Sequence, residues 1–212
     1  MNNFNSLINN KIIEFEAGEL DFLLLEKYKQ TLKDKIYFNF IIDSRNAGFF
    51  YDKSLQIYSY SDKNMSNSID YVNSILRNEY KEIISDLISF AQDLFGNQFC
   101  FDIVKRKIFL FNSETGERKL IASDFSNWID VIYEDFDYFI GLNILREWNY
   151  ANRLTSDERL YPKIPFIMGG EFKVNNLFAS TFPNYIVDYA NIAKQVFNLP
   201  DGTPVKLVVD KR

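Results

Sequence analysis

A chain of 212 residues, 47% hydrophobic and 25% charged, is long enough to bury one sizeable core and too apolar for disorder. It has no histidine and one cysteine, which removes Ser-His-Asp and Cys-His catalysis, imidazole or thiolate zinc sites, and an internal disulfide. A net charge of −5 disfavours direct nucleic-acid binding, which depends on Lys and Arg neutralising phosphate; it suits either a basic protein partner or plain solubility.

The first residues, MNNFNSLINNKIIEFEAGEL, show no basic region followed by an apolar core, so no secretory signal is expected. No stretch approaches the ~20 apolar residues of a membrane span. With a single thiol, a reducing cytoplasmic setting is the expectation. Leu20, Leu23, Leu24, Tyr28, Leu32 and Ile36 lie at helical spacing and predict one or two amphipathic helices over 19–42. Arg45-Asn46-Ala47-Gly48 reads as a turn, and Phe49-Phe50-Tyr51 as the start of an aromatic strand. Residues 55–60 alternate as a second strand, and Asp62 to Ser68 read as a polar loop.

Val72, Leu76, Tyr80 and Ile83 predict a helix from Ile69 with one buried face. Leu87 to Ala91 fits a helix end or a short buried strand by periodicity alone. After the Gly96-Asn97 turn, Phe99, Phe101 and Ile103 fall on one strand face, with Gln98, Cys100 and Asp102 on the other. Ile108 to Phe111 and Lys119 to Ala122 follow as strands joined by a hairpin at Glu114-Thr115-Gly116. Ser123 or Asp124 can cap a helix that buries Phe125, Trp128, Ile129 and Ile132.

Beyond Tyr150 the chain reads as loop-rich, with Pro162 and Pro165. Strands are expected over Val174 to Ala179 and Val205 to Val209, and a helix over Pro183 to Phe197. Strands in runs with helices on either side argue for an α+β fold.

No segment carries a recognisable catalytic or metal-binding constellation, and no cofactor is expected. Glu134, Asp135 and Asp137 crowd one helical segment, and Glu114 with Glu117 flank the hairpin tip; both groups read as solvated acids before a glycosidase-type pair. Gly169-Gly170-Glu171 lacks the spacing of a phosphate loop and reads as a tight turn with positive φ. Cys100 reads as a small buried residue, and Lys105-Arg106-Lys107 as a solvated turn. Trp128 lies on a periodic apolar face, whereas Trp148, beside Arg146, Glu147 and Asn149, is the better candidate for an exposed anchor. The 21 Phe and 13 Tyr reflect either biased coding or a ring-rich binding surface.

In order, DLFGNQFCFD, KIFLFNSETGERKLIA and DFSNWIDVI across residues 93–128 resemble the SUKH superfamily, the Smi/Knr-like proteins. Asn46-Ala47-Gly48-Phe49-Phe50 is similar to that family's Asn-Gly-Gly turn, with Ala47 in place of the first glycine. YPKIPFIMGGEFKVNNLFAS and NLPDGTPVKL are similar to a C-terminal extension in one bacterial branch. The resemblance implies one domain over 1–212, with a central, largely antiparallel sheet flanked by helices and an extension at about 140–212. It also implies that Leu87 to Ala91 is a strand. The function it implies is that of a bacterial immunity protein that binds and neutralises a toxin, often a nuclease, and it supplies no catalytic residues. A regulatory or scaffolding module ranks second and a carboxylate-based hydrolase last. Glu134, Asp135, Asp137 and Trp148 are the expected partner contacts.

Overall fold

The computed structural model describes residues 3–12, 18–61, 65–200 and 202–208. Helix α1 (Asn3–Asn9) precedes α2 (Phe22–Leu32), which starts where the Asp21 carboxylate accepts the Leu23 and Leu24 amides. Helix α3 (Lys35–Asp43) starts at Asp34, one of whose oxygens accepts the Tyr37 amide at 3.0 Å. The other accepts the Phe125 amide at 2.8 Å, so one side chain sets the starts of two helices. Asp34→Ala is expected to lower stability by about 1–2 kcal/mol, and Asp34→Asn by less, measured as the urea midpoint at constant m-value.

Arg45, Asn46 and Ala47 all take positive φ, and the Asn46 side-chain oxygen accepts the Tyr60 amide at 2.7 Å. This turn delivers β1 (Gly48–Phe50) and β2 (Leu55–Ile57). Strand β2 is shorter than expected because Ser59 and Tyr60 leave the sheet for partners at Asn67 and Asn46. Helix α4 (Ile69–Tyr80) is followed by β3 (Leu87–Gln92), β4 (Gln98–Asp102), β5 (Lys107–Phe111) and β6 (Arg118–Ala122). Together β1 to β6 form one six-stranded antiparallel sheet in chain order. Asn112 accepts the Glu114 and Thr115 amides at the β5–β6 connection, and Gly116 closes it at φ 75, where a side chain would strike Ile83.

Helix α5 (Phe125–Glu134) is capped by Asp124, and α6 (Phe136–Ile140) and α7 (Leu142–Trp148) follow. Phe125, Trp128, Ile129 and Ile132 are all buried, as their spacing predicts. Trp128 stacks on Phe125 and meets Phe90 and Phe99 edge-on, fixing α5 to one face of the sheet. The opposite face, which carries Gln98, Cys100 and Phe111, lies beneath α4 and α8 (Asn184–Val196). The sheet is therefore covered on both faces at its centre, and every residue of β3 and β4 is buried.

Glu158–Pro162 forms β7, paired antiparallel with β8 (Leu177–Thr181) in a second small sheet. The strand falls in the stretch expected to be loop-rich, because Glu158 and Arg159 break the apolar alternation that would have announced it. The strand expected from Val174 begins at Leu177, after one 3-10 turn. Residues 205–208 form no strand, a correction to the expected one; Val208 exchanges two hydrogen bonds with the Gln195 side chain. Val209, and residues 62–64 of the expected polar loop, lie outside the described residues. No described helix is long and apolar enough to cross a membrane.

Candidate protein-binding surface

Helix α5 is amphipathic, so the residues opposite its core face, Ser126, Asn127, Asp130 and Glu134, are exposed. It breaks at Asp135, whose carboxylate accepts the Tyr138 amide at 2.9 Å and so caps α6. Asp137 accepts the Asn143 amide at 2.8 Å and also the Asn143 side-chain amide. Glu134, Asp135 and Asp137 therefore meet at one exposed helix junction. Tyr138, 56% exposed, adds a ring to it. Residues 120–145 carry Asp124, Asp130, Glu134, Asp135 and Asp137 and no Lys or Arg, and the Lys119 amine, from the neighbouring strand, reaches the Tyr138 hydroxyl at 2.9 Å.

Trp148 does not join them. It is buried among Leu94, Phe95, Leu145, Leu154, Leu160 and Leu177, a second core between the six-stranded sheet and the β7–β8 pair. Its polar sequence neighbours suggested exposure, but Leu142, Leu145 and Trp148 recur every three residues and share the inward side of α7.

Glu114, Asp93 and Arg159 are buried, and Glu114 departs from the sequence reading. Glu114 is not a solvated acid at the hairpin tip; it is 4% exposed. Its carboxylate accepts the Phe166 and Ile167 amides at 2.8 and 3.3 Å, and burial lifts its pKa to about 7. Asp93 accepts the Phe95 and Asn97 amides, each at 2.8 Å, and burial lifts it to about 6, with those bonds pulling the other way. Arg159 is 1% exposed. Its guanidinium donates to the Glu158 carbonyl and the Gln56 side-chain oxygen and lies 5.2 Å from the centroid of the Phe49 ring. With the Gln92 amide oxygen turned towards it, Nη2 and Nε stand 3.1 and 3.3 Å away.

A cleft of about 550 Å³ runs between the α2–α3 turn and the β4–β5 connection, and its lining includes Asp34, Asp102 and Asp124. Each of these carboxylates already accepts backbone amides. Gly170 faces the Ile164 carbonyl so closely that a Cβ would meet it at 1.9 Å, and Gly169 takes φ +87, so this glycine pair is a tight turn. Cys100 is fully buried, and burial pushes its thiol up to about 12. Among the described residues there is no group of three or more His, Cys, Asp or Glu able to hold a metal ion.

The model of the SMI1 / KNR4 family (SUKH-1) matches residues 9–131, more than half of the chain. The chain belongs to that family. The matched segment runs from the end of α1 through the complete six-stranded sheet into α5, and leaves outside it all but the last residue of α1, the last residues of α5, α6 to α8 and the small sheet. The resemblance read over 93–128 falls inside it. A crystal structure of Atu4351 from Agrobacterium tumefaciens is similar in fold, with a TM-score of 0.58 at 17% identity, covering 82% of this chain and 81% of that one. No curated protein matches the chain.

Proposed function

We propose that the chain is a non-catalytic, cytoplasmic immunity protein that neutralises a toxin domain by covering its active site. The observation that carries this reading is the α5–α6 junction on a SUKH-1 fold, where Glu134, Asp135 and Asp137 stand exposed beside Tyr138 with no basic residue between 120 and 145. A basic cleft, such as that of a nuclease, is the complementary surface. Opposite charges speed encounter and reject wrong partners, and an exposed ring supplies contact area at low entropic cost. The carboxylates whose pKa is raised, Glu114 and Asp93, are the ones an enzyme would recruit, yet both are spent on backbone amides in the interior. This supports a binding role over the hydrolase reading.

In a host expressing the product of the neighbouring gene, the wild-type chain is expected to restore growth and to co-purify with that product. Converting Glu134, Asp135 and Asp137 together to Lys should weaken the complex by roughly tenfold or more, mainly by slowing association, with a shallower dependence on salt. A wild-type chain that neither protects nor co-purifies refutes the immunity role.

A further inference from the structure

Helix α5 stops and α6 starts on either side of one residue, Asp135, with no linker between them. Five residues are too few for α6 to hold its own direction, and the Asp135 cap fixes only its first turn. Ile140 buries the far end of α6 in the core. The near end, at the break, is held by rings. Tyr133 and Phe136 bracket Glu134 and Asp135, and their ring centroids lie 5.0 Å apart. A third ring closes on both: Tyr51 stands 4.8 Å from Phe136, and its hydroxyl donates to the Tyr133 hydroxyl at 2.6 Å.

Tyr51 reaches this place from an uncommon backbone. Tyr51, Asp52 and Lys53 take φ of 51, 55 and 82, three consecutive non-glycine residues in the left-handed region. Each is strained, and such residues persist only where the surroundings over-determine them. Here the Tyr51 amide donates to the Asn10 carbonyl at 3.3 Å, and the Ser54 amide closes the turn on the Tyr51 carbonyl at 2.9 Å. The Lys53 amine donates to the Leu154 carbonyl at 2.6 Å. Glycines would make the same reversal between β1 and β2 without strain. The chain instead places a half-buried tyrosine there, whose hydroxyl meets α5 and whose ring meets α6. Phe50 already pairs with Leu55 across the reversal, so the strand pairing makes no use of that ring.

We propose that Tyr51 is a positioning residue for the partner surface: the strained turn 51–53 holds its ring against Tyr133 and Phe136, and so fixes the angle at which Glu134, Asp135 and Asp137 are displayed. This rests on the protein-binding reading above and names what pre-organises that surface. A fixed display spares the ordering cost that a mobile α5–α6 junction would add to binding.

Two measurements on the full chain test this. The first is hydrogen exchange at the Tyr138 and Phe139 amides, which the Asp135 carboxylate and carbonyl accept. The second is affinity for the product of the neighbouring gene. Tyr51→Ala is expected to speed that exchange and to weaken that complex, each by roughly tenfold or more. Tyr51→Phe keeps the ring and should stay within about threefold of the wild type in both. Tyr80→Phe removes a buried hydroxyl bond to the Ser113 carbonyl, away from the junction; it should lower stability and change neither readout. Should Tyr51→Ala fail to fold, Tyr51→Leu keeps apolar bulk without the ring and should shift both by roughly fivefold. A Tyr51→Ala chain that binds like the wild type overturns the positioning role and leaves the immunity role standing. Unchanged protection at the two amides, or an equal effect of Tyr80→Phe, also overturns it. If the wild-type chain neither binds nor protects, the immunity role falls, and the positioning role is decided by the two amides alone.

Discussion

Arg159→Ala is expected to lower the free energy of unfolding by about 2–5 kcal/mol, a large share of the ~5–15 kcal/mol available to a domain. The guanidinium is 1% exposed, and among the described residues no carboxylate forms an ion pair with it. It is held instead by amide oxygens, by the Glu158 carbonyl at 2.5 Å and by the face of Phe49. Truncation removes the cation that donates to the Gln56 and Gln92 side-chain oxygens, in a buried network that also contains Gln98, Tyr58 and Tyr185. A void remains where the side chain ran. Arg159→Lys should recover little, because a single ammonium cannot meet two amide oxygens with a planar fork. Thermal and urea unfolding measure the loss. In a double-mutant cycle with Gln56→Leu, a coupling near zero would show that the socket does not depend on the arginine.

The second large effect is a dependence on pH. Burial raises the Glu114 pKa from 4.5 to about 7, so between those values the folded chain keeps a proton that the unfolded chain has lost. The stability associated with this group is complete below about pH 4.5 and declines as pH rises through 7, by on the order of 3 kcal/mol. Asp93, raised from 3.8 to about 6, contributes with the same sign in a lower window. The titratable groups facing Glu114 are phenols: Tyr80 of α4, Tyr161 of β7 and Tyr189 of α8, which add no positive charge. Urea midpoints should therefore fall between pH 5 and pH 8. Glu114→Gln, which keeps the length and one acceptor, should flatten the part of that decline between about pH 5 and 7. An unchanged slope in Glu114→Gln would assign the effect elsewhere.

Elements with one dominant periodicity were legible in the sequence. Helix α5 shows its four inward residues at helical spacing, and β4 shows Phe99 and Phe101 on one face with Gln98 and Cys100 on the other. Leu87 to Ala91 was ambiguous by pattern, because a strand buried on both faces has no alternation to display. The resemblance settled it as a strand. What escaped was mostly long-range. Strand β7 carries a buried arginine held by distant partners at Gln56, Gln92 and Phe49, and the amides that Glu114 accepts come from residues 166 and 167. Trp148 was misjudged from its immediate neighbours, although its spacing from Leu142 and Leu145 held the answer. Of the expected contact residues, Glu134, Asp135 and Asp137 stand together and exposed, while Trp148 is buried.

Two of these buried charges have a further consequence. Glu114 lies within the segment shared with the family, yet the amides it accepts belong to residues 166 and 167; Gln56 and Gln92 lie within it too, yet the cation they surround comes from residue 159. Leu94 and Phe95 are likewise roofed by side chains from beyond residue 131. The shared segment is thus not portable. Grafted onto another tail it would expose a carboxylate, a glutamine socket and an apolar floor with no lid, so a chimera must carry both sides of each junction.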